Sequence, residues 1–218
     1  MSEKQVIILD YQLGNLFSVQ QACSRVGLNA RISSDKADIA SADGIILPGV
    51  GAFAEAMANM KSLDLIEPLK DFVAKGKPLF GVCLGQQLLF TESEEFGSTK
   101  GLNFISGVIK KFPAYTVLTN QVKVPQIGWN HIYPKSREWA HTPLDRIGPN
   151  TYVYFVHSYY VVPEKDENIL TLTNYEGIEY CSSVIKNQNI FATQFHPEKS
   201  GELGLSIYSS WGKQFQLI

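Results

Sequence analysis

The chain is short of the features that mark several large classes of protein. Its three cysteines, at 23, 83 and 181, are odd in number and form no Cys-x-x-Cys pair. That excludes a disulfide framework and argues against a zinc site. No apolar run approaches the ~20 residues that span a bilayer. Nineteen Lys and Arg stand against 21 Asp and Glu, a net charge of −2, so neither nucleic acid nor an anionic membrane is expected as a partner. Low-complexity stretches are missing, and no period of roughly 20–50 residues recurs, which excludes repeat architectures. No Asn-x-Ser/Thr acceptor occurs. Met1-Ser2-Glu3-Lys4 passes into Gln5-Val6-Ile7-Ile8-Leu9-Asp10 without a signal peptide's basic start or cleavage site, so the expected location is the cytoplasm.

What is present is a globular composition, 44% apolar and 18% charged over 218 residues. That apolar content is enough to offset the entropy of ordering the chain. No linker poor in apolar residues divides it, so a single domain over residues 1–218 is expected. The first hundred residues alternate short apolar runs with helical spacing. Val6 to Leu9, Gly44 to Pro48 and Leu79 to Val82 read as buried strands. Leu16, Val19, Cys23 and Val26, then Leu65, Leu69, Phe72 and Val73, recur at helical spacing, and a further helix is expected to begin over residues 84–90. Uninterrupted apolar strands between amphipathic helices call for a mostly parallel sheet covered on both faces, an α/β fold. The second half is richer in strands: residues 117–124, 151–162, 169–174, 181–186 and 190–194 are β-branched or aromatic between turn residues. A last helix follows Gly201, with Leu203, Ile207, Trp211 and Phe215 on one face.

The sharpest local signal is Gly81-Val82-Cys83-Leu84-Gly85, between a strand and a helical pattern. Such a strand–turn–helix elbow holds a nucleophile in a tight, strained turn, with glycines where the backbone crowds. A helix N-terminus favours the thiolate over the thiol. On the pattern alone Cys83 is either a nucleophile or a buried structural cysteine like Cys23. A thiolate of this kind needs a base. His131 and His141 lie in polar, proline-flanked sequence, and His157 sits within a strand as a structural histidine would. His196 ends a β run, directly before Pro197, and Glu198 two residues on is placed to orient its ring. His-x-Glu by itself is a weak signal and gains weight beside the elbow.

Together with Leu47-Pro48-Gly49-Val50-Gly51, these motifs resemble the three signatures of class I (triad) glutamine amidotransferases. Asp10-Tyr11-Gln12-Leu13-Gly14-Asn15, Gly128-Trp129-Asn130, Tyr154-Phe155-Val156-His157-Ser158-Tyr159 and Gln194-Phe195-His196-Pro197-Glu198-Lys199-Ser200 narrow the resemblance to the glutaminase subunits of imidazole glycerol phosphate synthases. The resemblance runs in order along essentially the whole chain. It implies a flavodoxin-like fold and a Cys83, His196, Glu198 triad that releases ammonia from L-glutamine through a thioester. It also implies an oxyanion hole from the Gly49, Val50 and Gly51 backbone with the Leu84 amide. Glutamine would be held by Gln87, one helical turn beyond Cys83, by Glu95 about two turns further on, and by the backbone at Ser158 and Tyr159. Gln126, Trp129, Asn130, Tyr154 and Lys199 would face a cyclase subunit, a (β/α)8 barrel, in a heterodimer. No cofactor and no metal is called for.

Two places depart from the family pattern. Gln86 stands where Met is common, and Gln126-Ile127 where His-Met is common. Neither touches the triad; both bear on which acceptor enzyme is served. The alternatives are therefore a paralogous glutaminase supplying a sugar amidotransferase of surface-polysaccharide synthesis, a catalytically silent scaffold, and a cysteine protease of related fold. Retention of Cys83, His196 and Glu198 speaks against the scaffold, and the Gly128-Trp129-Asn130 and Lys199-Ser200 segments against the protease.

Overall fold

The structure, a computed structural model, describes residues 4–116, 118, 121–136 and 138–218. Along the first half it runs β1 (Val6–Leu9), α1 (Leu16–Arg25), β2 (Ala30–Ser33), α2 (Lys36–Ser41), β3 (Gly44–Leu47), α3 (Phe53–Ser62), α4 (Ile66–Ala74), β4 (Leu79–Val82) and α5 (Leu84–Leu88). There follow β5 (Phe90–Ser93), β6 (Thr99–Lys100), β7 (Ile105–Lys111), β8 (Gln126–Pro134), β9 (Thr151–His157), β10 (Tyr159–Pro163), β11 (Ile169–Tyr175), β12 (Ile178–Lys186), β13 (Ile190–Thr193) and α6 (Gly201–Gln214). No helix among the described residues is long and apolar enough to cross a membrane.

Four-residue apolar runs with no polar face are stable only between two covered faces, and β1, β3, β4 and β13 are buried at every position. They form the centre of the sheet in the order β2-β1-β3-β4-β13, all parallel. Alternate side chains point to opposite faces. Val6, Ile8 and Phe80 pack with Val19 and Cys23 of α1 and Ile207, Tyr208 and Trp211 of α6. Ile7, Leu9 and Leu79 pack on the other face with Ile39, Met60, Leu69 and Phe72 of α2 to α4. Beyond β13 the sheet turns antiparallel through β12, β10 and β7, while β11, β8 and β9 branch from β12. The parallel core covered on both faces and the strand-rich second half agree with the sequence pattern.

The differences are local. The expected strand over 117–124 is not formed by its described residues 118 and 121–124, and residues 117, 119 and 120 lie outside the described set. The run 151–162 is two strands, broken at Ser158, where the chain turns into the site. The helix from Leu84 stops at Leu88, because Phe90–Ser93 pairs with β7 and β6. Leu203 is exposed, so the buried stripe of α6 starts at Gly204 and Ile207.

Candidate active site

In open parallel sheets, ligands are met beyond the carboxyl ends of the strands. The chain places its elbow there. Cys83 takes φ 55° and ψ −107° between β4 and α5, a left-handed conformation that is strained for a side chain with a Cβ. Its N–H is held by the Thr193 carbonyl at 2.7 Å, and its carbonyl accepts the N–H groups of Gln86 and Gln87. A Cβ on Gly85 would stand 1.8 Å from the Leu47 carbonyl oxygen, so the elbow closes only because that residue is glycine. Cys83 is buried, with Sγ 3.9 Å from the Val156 carbonyl.

His196 follows β13, the parallel neighbour of β4, and so reaches the same end of the sheet. Its N–H donates to the Tyr154 carbonyl and its carbonyl accepts from Ser200 Oγ. The single 3-10 turn Pro197–Lys199 then carries Glu198 back, so that Oε1 meets His196 Nδ1 at 2.7 Å with both side chains buried. The other ring nitrogen is left for Cys83. Burial disfavours charge on this imidazole, yet Cys83 and Glu198 together push it up to about 10. His157 differs. Burial pushes it down to about 3, and it is fixed between the Tyr159 carbonyl (2.9 Å) and the Tyr180 hydroxyl (3.2 Å), as a structural histidine.

Cys83 opens on a cavity of about 290 Å³ lined by Val50, Gly51, Leu84, Gln87, Glu95, Pro125, Val156, His157, Ser158 and Tyr159. It lies at the small end of the ~300–1,000 Å³ typical of ligand sites. The expected Val50, Gly51, Leu84, Gln87, Glu95, Ser158 and Tyr159 thus share one wall system with Cys83. Gln87 Nε2 donates to the Tyr159 carbonyl at 3.0 Å and to Gln194 Oε1 at 3.1 Å. Glu95 arrives by another route than expected. It is not two turns along the elbow helix but in the turn after β5, where Oε2 accepts the Phe53 N–H at 2.6 Å and caps α3. Its second oxygen is available to the cavity.

The Gly49-Val50-Gly51 turn carries a specific arrangement. The Leu84 N–H donates to the Gly49 carbonyl at 3.4 Å. One amide that could receive a developing oxyanion is therefore occupied by a carbonyl of the adjoining turn. A Cβ on Gly49 would lie 2.0 Å from the Tyr11 hydroxyl, so this peptide sits where only glycine fits.

On the flank, β8 and β9 pair with Trp129 opposite Tyr154. Ile127, Trp129 and Tyr152 are 63%, 56% and 59% exposed, and Lys199 Nζ lies 5.8 Å from the Tyr154 ring centre. Asn130 Nδ2 binds the Asn174 carbonyl. The placing of Gln126 on this surface is corrected: it is 2% exposed, and Oε1 accepts from the buried Tyr180 hydroxyl. Strand alternation turns Ile127 outward in its place. Pro125 and Val156 line the cavity and Gln194 bonds Gln87 and Cys83; they were not singled out as site residues, since only tertiary pairing brings them there.

Residues 7–208 match the profile of the family described as glutamine amidotransferase class-I. The chain is 46% identical over 210 residues to the imidazole glycerol phosphate synthase subunit HisH of Methanosarcina barkeri, covering 95% of this chain and 98% of that protein. It is 44% identical over 204 residues to the synthase subunit HisH 1 of Legionella pneumophila, covering 93% and 95%. Among solved structures, PurLQS from Thermotoga maritima superposes with TM-score 0.73 at 17% identity, over 97% of this chain and 99% of that one. A structure described as a glutamine amidotransferase gives 0.71 at 14%, over 96% and 98%. At those identities the superpositions speak for the fold alone. The profile across nearly the whole length and the relatives above 40% identity show that the chain belongs to the class-I glutamine amidotransferase family.

Proposed function

We propose that this chain is the glutaminase subunit of an imidazole glycerol phosphate synthase. It would hydrolyse L-glutamine to glutamate and ammonia and pass the ammonia to a cyclase subunit, a (β/α)8 barrel, in a cytoplasmic heterodimer. The observation that carries the reading is the elbow thiol facing a buried His196–Glu198 pair on a small cavity. In the proposed chemistry His196 takes the Cys83 proton as sulfur attacks the side-chain amide carbon. The tetrahedral oxyanion is received by the backbone of Gly49 to Gly51 and by Leu84. His196 returns the proton to the departing nitrogen, the C–N bond breaks, and ammonia leaves a γ-glutamyl thioester. Water, its proton taken by His196, then cleaves the C–S bond to give glutamate and the thiol. Glu198 holds the ring and balances its charge. Gln87, Glu95 and the backbone at Ser158 and Tyr159 would hold the amino-acid end of glutamine.

The exposed Ile127, Trp129 and Tyr152, with Tyr154, Asn130 and Lys199 beside them, form the face proposed to meet the synthase subunit. One continuous sheet joins the parallel and antiparallel halves, which supports a single domain. The test is Cys83→Ala in the complex with its synthase. Glutamine-dependent product formation is expected to vanish and ammonia-dependent formation to persist; glutamate release at the unmutated rate would overturn the reading. Activation by a sugar amidotransferase instead of the cyclase would reassign the partner.

A further inference from the structure

Two polar groups bond Cys83 Sγ, the Val156 carbonyl at 3.9 Å and Gln194 Nε2 at 3.7 Å, and the His196 ring stands beside it. The carbonyl only accepts, so it serves the protonated thiol and opposes a thiolate. The Gln194 amide does the reverse. Its orientation follows from its neighbours. The Tyr159 carbonyl only accepts, which turns Gln87 Nε2 toward it. The second proton of that nitrogen reaches Gln194 Oε1. With Oε1 so engaged, Gln194 presents its own Nε2 to the sulfur. Gln194 is fully buried, and its backbone N–H is tied to the Ser182 carbonyl at 2.8 Å, so the donor is held in place before any substrate arrives. A donor held against the sulfur by buried neighbours favours charged sulfur over a neutral thiol or thioester.

We propose that Gln194 is a further catalytic residue of this site, its side-chain amide donating a hydrogen bond to Cys83 Sγ that stabilises the sulfur as an anion. The donor acts when the thiol gives up its proton, and again when the thiolate leaves the thioester. This rests on Cys83 being the nucleophile. If Gln194 served only as packing and as an anchor for Gln87, its loss would alter glutamine binding and leave the sulfur's reactivity untouched.

The reactivity of the sulfur is measured on the full chain with iodoacetamide, without substrate. Cys23 and Cys181 are buried, and burial pushes both thiols up, Cys23 to about 12, so labelling reports Cys83. Gln194→Met removes the donor. Gln194→Glu keeps an oxygen for Gln87 but sets an acceptor against the sulfur. Alkylation of Cys83 at neutral pH is expected to slow about tenfold in Gln194→Met and further in Gln194→Glu. The kcat of the synthase-bound enzyme should fall in parallel, with KM for glutamine kept in Gln194→Glu. Alkylation within about twofold of the unmutated rate in both folded variants overturns the proposal. Should circular dichroism show that neither variant folds, the unmutated chain decides. The 15N resonances of the Gln194 amide are expected to shift when Cys83 is carbamidomethylated, and unmoved resonances overturn it. Cys83→Ala is carried alongside. Glutaminase activity surviving there would defeat the nucleophile itself, whereas an inactive Cys83→Ala beside unaffected Gln194 variants defeats only the role of Gln194.

Discussion

At the scale of single residues, the site sets two glutamines in contrast. Gln87 is buried and has partners for its amide nitrogen; Gln86, its neighbour, is fully buried with neither Nε2 nor Oε1 paired. A buried polar group without a partner costs about 1–3 kcal/mol. Gln86→Met, which restores the side chain common in the family at nearly equal volume, should therefore stabilise the fold by about 1–2 kcal/mol, a Tm rise of roughly 2–8 °C. A fall in Tm would mean that the amide has a partner of its own. A second expectation concerns Glu198, whose contact with His196 Nδ1 is proposed to orient the ring without taking part in bond making. Glu198→Gln should lose less kcat than His196→Ala, and the double variant should lose little beyond the histidine change alone. Equal and additive losses would leave Glu198 as a helix cap only. The three residues proposed as the triad stood out in the sequence because each stands in a local pattern with its own chemical reason: glycines around Cys83, and a strand-ending proline between His196 and Glu198. Gln126 was not. Its partner Tyr180 lies 54 residues away, and nothing local distinguishes a polar residue fed by a distant hydroxyl from one facing solvent.

At the scale of elements, the elbow is the most constrained part of the chain. Gly85 packs against the Leu47 carbonyl at a distance that excludes any Cβ, whereas Gly148 has open space around it. Gly85→Ala should cost about 3 kcal/mol or more in denaturant unfolding, while Gly148→Ala stays within about 0.5 kcal/mol. Equal effects would mean that β3 and α5 can separate without loss. The central strands were readable because full burial leaves no polar face to write. The weaker elements were not. β2 is a partly exposed edge strand, and α3 holds its buried face with only Phe53, Ala56 and Met60, too few apolar positions to stand out from the sequence around them. The short α5 was overread, since Leu88, Leu89 and Phe90 continue a helical pattern that the pairing of Phe90 with Ile105 cuts off. Glu95 was carried to the wrong element by that same run, although it still reaches the cavity.

At the scale of the whole molecule, Cys83 and the His196–Glu198 pair already lie at one end of the sheet in the isolated chain, while the Leu84 amide is not free. The Leu84 N–H is engaged by the Gly49 carbonyl, and freeing it requires the Gly49–Val50 peptide to turn, a motion flanked by Gly51 at φ 111°. Loss of one such donor costs about 10²–10³ in rate, so binding of the synthase with its ligand should accelerate glutamate release by at least that factor. Full activity of the chain alone would refute this. The exposed Ile127, Trp129 and Tyr152 lie on the flanking strands β8 and β9, whose backbone also holds His196 through the Tyr154 carbonyl, so the docking proposed there would be felt by His196 without any long pathway. The occupied amide also bears on inhibition. An electrophile that simply alkylates sulfur builds no charge on oxygen and does not need that amide, whereas a glutamine mimic that must pass through a tetrahedral adduct does. The resting subunit should thus be blind to the second kind of inhibitor and open to the first. A compound collection tried on the free chain would be sorted by its chemistry of attack before it was sorted by fit.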